Sequence, residues 1–230
     1  VIASNCNPIK LGTSSYAGFR NVAFSNIVIR PTPESNIWDW SEHYRKIAPG
    51  TCTGLAGIAV ECVDGGTVEN ISFDNIIMEG VITPIFVCLN HRHGEKGVLR
   101  DLKFRGITAK ANGIIPCLIS GVPGNVVEDI LLRDITVEQE GGEEPAQEPL
   151  PENLDGYPEN RMYGPWNPAG GLYIRHARSI VIDRFEARHR QADTRPTVVL
   201  EDVRDVQCLG LKTVNGAGGI EAKQCENIES

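Results

Sequence analysis

Apolar and polar residues alternate in short runs along the whole chain, and each run turns on a small or polar residue. Val68 to Met78, Val-Glu-Asn-Ile-Ser-Phe-Asp-Asn-Ile-Ile-Met, shows the pattern most clearly. Two Asn-Ile pairs stand five residues apart in it, Asn70-Ile71 and Asn75-Ile76, with Phe73 between them. The frame returns as Asn21-Val22 with Asn26-Ile27, Asp101-Leu102 with Gly106-Ile107, and Asp129-Ile130 with Asp134-Ile135. Looser copies are Ser179-Ile180 with Arg184-Phe185 and Asp205-Val206 with Gly210-Leu211.

The first apolar positions of these copies are 22, 71, 102, 130, 180 and 206, separated by 49, 31, 28, 50 and 26 residues. That is a repeat of 26 to 31 residues lengthened twice by insertions. Alternation followed by a corner is strand chemistry rather than helical spacing. Asn, Asp and Gly suit the corner because they tolerate left-handed backbone. The spacing therefore predicts an all-β parallel solenoid of about six coils, one domain over residues 1–230, with two long loop insertions at about 31–53 and 138–168.

Alternation also assigns faces. Ile58, Val60 and Cys62 point inward and Ala59, Glu61 and Val63 outward, while Ile9 and Leu11 point inward and Lys10 outward. Lys10 and Glu61 then share a face of adjacent strands spaced ~4.8 Å apart. They form either an exposed ion pair worth under ~1 kcal/mol or part of a site.

Of the 230 residues 41% are hydrophobic, with 24 Gly, 14 Pro and two Met, as expected of a soluble β-rich protein with many turns. The net charge of -8 argues against nucleic acid as a partner, which needs clustered cations. It disfavours an anionic polysaccharide overall, although a local basic cleft still accommodates one. The seven cysteines show no metal-ligand spacing and several lie inside apolar runs, so most read as small buried hydrophobes, with one disulfide left open. No run approaches ~18 apolar residues, so no membrane span is expected. No secretion signal opens the sequence, which leaves the compartment unassigned. Val1 to Thr13 begins inside a coil, so the sequence predicts either a longer parent protein or a homo-oligomer that covers the uncapped amino-terminal coil.

Candidate chemistry gathers in three places. The first insertion carries Trp38, Asp39, Trp40, Glu42 and His43; its tryptophans serve as a stacking platform for a sugar or as pins for the loop. Glu61 and Asp64 supply carboxylates which, with Asp39, suit general acid and base roles where burial separates their pKa values. Asn90, His91 and Arg92 follow the strand ending at Leu89 and, with Asn7 and Lys10, offer hydrogen bonds to a saccharide. No metal set is complete and no cofactor motif is present, and a Gly-x-Ser-x-Gly elbow is missing. Arg175, His176, Asp193 and Arg195 read as structural, Arg195 pairing with Asp193 or Asp202 to brace a turn.

Three stretches resemble the polygalacturonase-like glycoside hydrolases, specifically their carboxy-terminal half. They are Asn5-Cys-Asn-Pro-Ile-Lys-Leu-Gly-Thr with Phe19-Arg-Asn-Val-Ala-Phe-Ser-Asn, then Gly57-Ile-Ala-Val-Glu with Asp64-Gly-Gly-Thr-Val-Glu-Asn-Ile, and a third set formed by Tyr157-Pro-Glu to Tyr163-Gly, Gly171-Leu-Tyr-Ile-Arg-His-Ala and Asp193-Thr-Arg-Pro. The resemblance implies a right-handed parallel β-helix and metal-independent inverting hydrolysis of pectic or related plant cell-wall polysaccharide, with the two carboxyl groups ~6.5–9.5 Å apart. The family's Asn-Thr-Asp and Asp-Asp motifs are absent from this sequence, its His falls on Asn7, its Arg on Ala59 and its Lys on Glu61. These departures keep open an alternative, a non-catalytic glycan-binding or oligomerising module.

Overall fold

A computed structural model describes residues 1–32, 54–143, 150–152, 154, 156–164 and 167–230. Among the described residues there are thirteen strands and no helix, hence no helix long and apolar enough to cross a membrane. The strands are β1 (Ile2–Ala3), β2 (Ile9–Leu11), β3 (Phe19–Arg30), β4 (Gly54–Cys62), β5 (Thr67–Leu89), β6 (Val98–Ala111) and β7 (Cys117–Ser120). They continue as β8 (Val127–Gly141), β9 (Leu172–Asp193), β10 (Val198–Cys208), β11 (Leu211–Gly216), β12 (Ile220–Lys223) and β13 (Glu226–Glu229).

The repeat sets the register. Val22 pairs with Ile71, Ile71 with Leu102, Leu102 with Ile130, Ile130 with Ile180 and Ile180 with Val206, all in parallel strands. The sequence intervals are thus the strand-to-strand offsets. Both corners of every copy are left-handed: the first at Asn21, Asn70, Asp101, Asp129, Ser179 and Asp205, the second at Asn26, Asn75, Gly106, Asp134, Arg184 and Gly210. Amide side chains stack there, Asn70 Nδ2 donating to Asn21 Oδ1 and Asn75 Nδ2 to Asn26 Oδ1, each at 2.7 Å.

The expectation of a right-handed parallel β-helix of about six coils is corrected by the pairing order. The strands form one thirteen-stranded sheet in which β5, β6, β8, β9 and β7 pair in a closed ring. This is a five-stranded parallel barrel with eight strands outside it. The cause lies in the corners, which bend the backbone without interrupting its pairing. β5 therefore runs for 23 residues, meeting β6 with its first part and β7 with its last, and β9 likewise meets both β7 and β8.

One apolar cluster, which includes Ile58, Val60, Phe73, Phe104, Ile135, Ile174 and Leu200, is fully buried. Phe24, Phe73 and Phe104 stack within or against it at centroid spacings of 5.2 and 5.0 Å. A second cluster lies on the opposite side chains of the same strands, Ala59, Phe86, Leu118, Tyr173 and Val199, and is covered by Tyr163 and Met162. Residues 138–141 of the expected second insertion continue β8, and the described pieces from 150 onward cover that second cluster. Among the described residues the cysteines are free thiols, with Cys62, Cys88, Cys117 and Cys208 buried as expected. Burial pushes the Cys62 thiol up to about 11 and those of Cys88 and Cys117 up to about 12.

Candidate active site around Glu61

Glu61 lies on β4 one residue before its end, pointing away from the first apolar cluster, as alternation predicts. Its side chain has no exposure, whereas that of Lys10 is 23% exposed, and Lys10 Nζ stands 2.9 Å from Glu61 Oε2. The pair is therefore not the exposed ion pair considered above. Thr13 Oγ1 donates to the same oxygen at 3.0 Å, and Glu61 Oε1 is buried with no hydrogen-bond partner. Loss of hydration pushes the Glu61 carboxyl above the ordinary glutamate value; Lys10 and Thr13 pull against that shift and the nearby Glu159 adds to it.

Thr13 reaches this position because Gly12 precedes it. A Cβ on Gly12, at φ +115°, would stand 2.4 Å from the Glu61 carbonyl oxygen and 2.8 Å from Glu61 Cβ. Only glycine lets the chain cross β4 so closely.

Tyr157, 61% exposed, closes the outer side. Lys10 Nζ lies 5.6 Å from its ring centroid and Arg92 Cζ 6.0 Å, so two cations lie over a largely exposed aromatic ring.

Asp64 is held differently. Arg92 grips it through both oxygens, Nη2 at 2.9 and 2.8 Å and Nε at 3.0 Å, and His93 Nε2 stands 3.6 Å from Oδ1. Its backbone is fixed by Ser15, whose hydroxyl accepts from the Val63 and Asp64 amides and donates to the Gly65 carbonyl.

The other expected residues are distributed unevenly. Asn7 Oδ1 accepts from the Ala56 amide at 2.9 Å, bracing the start of β4. Asn90 is 1% exposed and its Oδ1 accepts from the His91 amide, so it serves the turn. His91 bridges to Asp64 through backbone and leaves Nδ1 buried without a hydrogen-bond partner. Trp38, Asp39, Trp40, Glu42 and His43 lie outside the described residues. The expected brace forms between Arg195 and Asp193, at 3.0 and 2.9 Å.

Sequence reasoning missed Thr13, Ser15 and Tyr157 as members of the site. Tyr157 carried a usable signal, an aromatic in one of the stretches that carry the resemblance; the two hydroxyls carried none. It also left Arg175 without a partner. Arg175, fully buried, donates to Ser120 Oγ at 2.9 Å and to the Leu150 and Pro151 carbonyls at 3.1 and 3.0 Å, and its guanidinium lies 4.5 Å from the Tyr163 ring centroid. Glu61, Cys88, Ser120 and Arg175 are consecutive partners along one register row. The row that presents Glu61 thus also anchors the segment leading to Tyr157.

Among the described residues no group of three His, Cys, Asp or Glu side chains is placed to hold a metal ion. No family model, curated protein or solved structure matches the chain. What this arrangement offers chemically is one buried carboxyl biased toward its protonated form, an exposed aromatic face and two cations beside it.

Proposed function

We propose that the protein is carbohydrate-active, binding a plant cell-wall polysaccharide, pectic or related, at the Tyr157 face and hydrolysing a glycosidic bond with Glu61 as general acid. The observation that carries this reading is the Glu61 carboxyl: buried, raised in pKa, and with Oε1 free of hydrogen bonds. A carboxyl whose pKa is raised holds its proton to higher pH than an ordinary glutamate and can deliver it to the glycosidic oxygen, so that the leaving sugar departs as an alcohol. Water then adds at the anomeric carbon, and its proton passes to the second carboxylate, drawn from Asp64 or Asp39. Tyr157 supplies a flat face for a pyranose, and Lys10 and Arg92 supply donors beside it.

A second reading, glycan binding without turnover, is favoured by the Asp64–Arg92 pair. Both Asp64 oxygens already accept from Arg92, which leaves neither of them unengaged for an attacking water.

The test is release of new reducing ends by the purified chain from polygalacturonan, rhamnogalacturonan, xylan and cellulose, with Glu61→Gln as control. Release that Glu61→Gln lowers by at least ~100-fold supports the hydrolase. Binding of one of these polymers with no release, equal in Glu61→Gln, supports the second reading. Neither release nor binding overturns both.

A further inference from the structure

We propose that His176 is a proton-operated latch: charged, it clamps the segment that carries Glu152 and Tyr157 against the barrel, and uncharged it loosens that segment.

His176 and Asp202 occupy a further left-handed corner, at φ +47° and +51°, on the neighbouring strands β9 and β10. The residues on either side of them pair in register, Arg175 with Glu201 and Ala177 with Val203. The corner is tightly packed, since a Cβ on Gly121 would stand 2.4 Å from the His176 carbonyl oxygen. The His176 side chain is 8% exposed, and each ring nitrogen meets a carboxylate. Nδ1 lies 2.7 Å from Asp202 Oδ2 and Nε2 3.1 Å from Glu152 Oε1.

An ionised carboxylate only accepts hydrogen bonds, whereas a neutral imidazole has one N–H and one lone pair. Both contacts are therefore hydrogen bonds only when the ring carries two protons. After one is lost, one carboxylate faces a lone pair. The two sides do not share that loss equally. Asp202 belongs to β10 and makes the shorter contact, so the remaining proton stays on Nδ1. Glu152 lies outside any strand, and its Oε2 is buried with no hydrogen-bond partner, 3.7 Å from Arg175 Nη2. Its tie to His176 is the one that fails.

The other groups at this corner supply no substitute. Arg175, adjacent on β9, uses its donors on Ser120 Oγ and on the Leu150 and Pro151 carbonyls. Glu201 Oε2 accepts from the Tyr173 hydroxyl at 2.6 Å. Residues 121–127, whose first glycine packs on the corner, carry no titratable side chain. Arg175 thus holds the main chain of the segment at any pH, while His176 holds its carboxylate only when charged. Imidazoles change charge between about pH 5 and 8. The clamp is present at the acidic end of that range and is lost as pH rises through it. Tyr157 follows Glu152 by five residues. Under the function proposed above, on which this consequence alone rests, the saccharide face is presented at acidic pH and withdrawn at alkaline pH.

Hydrogen exchange of the full chain at about pH 5.5 and about pH 8, corrected for intrinsic exchange, tests the latch across the imidazole range. Peptides from 150–164 are read against those from β6 and β8. The expected result is a fall of about tenfold in the protection of 150–164 at the higher pH, the size of one hydrogen bond to a charged group, with the strands unchanged. In His176→Asn, chosen because Asn tolerates a left-handed corner, protection is expected to be equal at both pH values. Glu152→Gln keeps the shape and offers an amide donor to the unprotonated Nε2, so there too the fall is expected to vanish. Both variants keep Glu61, so its own titration cancels in the comparison. Parent protection that does not change with pH, an equal fall in His176→Asn, or a fall that persists in Glu152→Gln overturns the proposal. The expected exchange pattern with no polymer bound at either pH upholds the latch and overturns only the carbohydrate reading.

Discussion

Lys10 Nζ lies 2.9 Å from Glu61 Oε2, yet the two partners live in different media: the carboxyl has no exposure and the ammonium side chain keeps 23%. A cation half in water compensates only in part for the hydration that Glu61 has lost. Burial therefore remains the largest influence on the carboxyl and leaves its pKa raised.

That asymmetry fixes how stability depends on pH. Because the folded protein holds the Glu61 proton more tightly than the unfolded chain does, this group's contribution is fully present below about pH 4.5. It is lost as pH rises through the folded value. Glu61→Gln keeps the shape and removes the titration. Urea melts from pH 4.5 to 7.5 are expected to show the variant gaining on the parent as pH rises; a pH-independent difference between the two would count against the assignment.

Lys10→Met removes the cation and drives the Glu61 carboxyl higher still. Breaking a buried pair costs about 3–5 kcal/mol when the remaining charge has no escape. Here Glu61 escapes by taking a proton, so the loss at pH 7 is expected near 2 kcal/mol, about half that range. It shrinks toward pH 5. A melt that worsens as the pH is lowered would refute the argument.

The corners test backbone and side chain separately. Asn75 has φ +52° and donates 2.7 Å to Asn26 Oδ1. Asn75→Ala loses the hydrogen bond and strains the left-handed corner, for an expected loss of about 2 kcal/mol. Asn75→Gly loses only the bond, and is expected to recover about 1 kcal/mol of that. Equal melting temperatures for the two variants would mean that the corner is not held left-handed.

Those corners also mark how far sequence alone reaches. A five-residue offset between Asn or Asp residues is local, and it marked both left-handed corners of the six copies, even where Ser179 and Arg184 replace the usual residues, but not the left-handed His176, Asp202, Asn215, Gln224 and Asn227. The spacing of Val22, Ile71, Leu102, Ile130, Ile180 and Val206 foretold the register for the same reason: neighbouring copies must bury equivalent side chains. Ring closure was not legible, because it depends on β5 and β9 staying paired through their bends, and alternation looks the same whether a strand stops at a corner or continues. In the site, the Lys10–Glu61 contact followed from alternation, but the burial of Glu61 did not. That burial comes with Gly12 pressed against its backbone and Thr13 on its oxygen, and Tyr157 joins the site from 144 residues beyond Thr13. Such long-range cover leaves no periodic trace.

Arg175 is where that cover is anchored. It reaches Ser120 Oγ and the Leu150 and Pro151 carbonyls and lies over Tyr163, all from a side chain with almost no exposure. Arg175→Lys keeps the charge but replaces a planar fork of donors by a point, so it cannot serve the hydroxyl and both carbonyls at once. Arg175→Met removes the charge and takes the guanidinium donors away from the Leu150 and Pro151 carbonyls, while Ser120 Oγ keeps the Tyr163 hydroxyl. Both are expected to destabilise the fold, by about 2 kcal/mol for Lys and about 3 kcal/mol for Met, since a buried guanidinium loses its partners or its place and a lost hydrogen bond to a charged group costs ~1.5–3 kcal/mol. The distinguishing readout is local: limited proteolysis should cut between residues 150 and 164 in either variant at temperatures where the barrel strands stay protected from hydrogen exchange. If cleavage there instead tracks global unfolding, Arg175 is simply part of the core, and the segment that carries Tyr157 is held by its other contacts, among them Asn160 Nδ2 on Thr83 Oγ1 and Tyr163 in the second cluster.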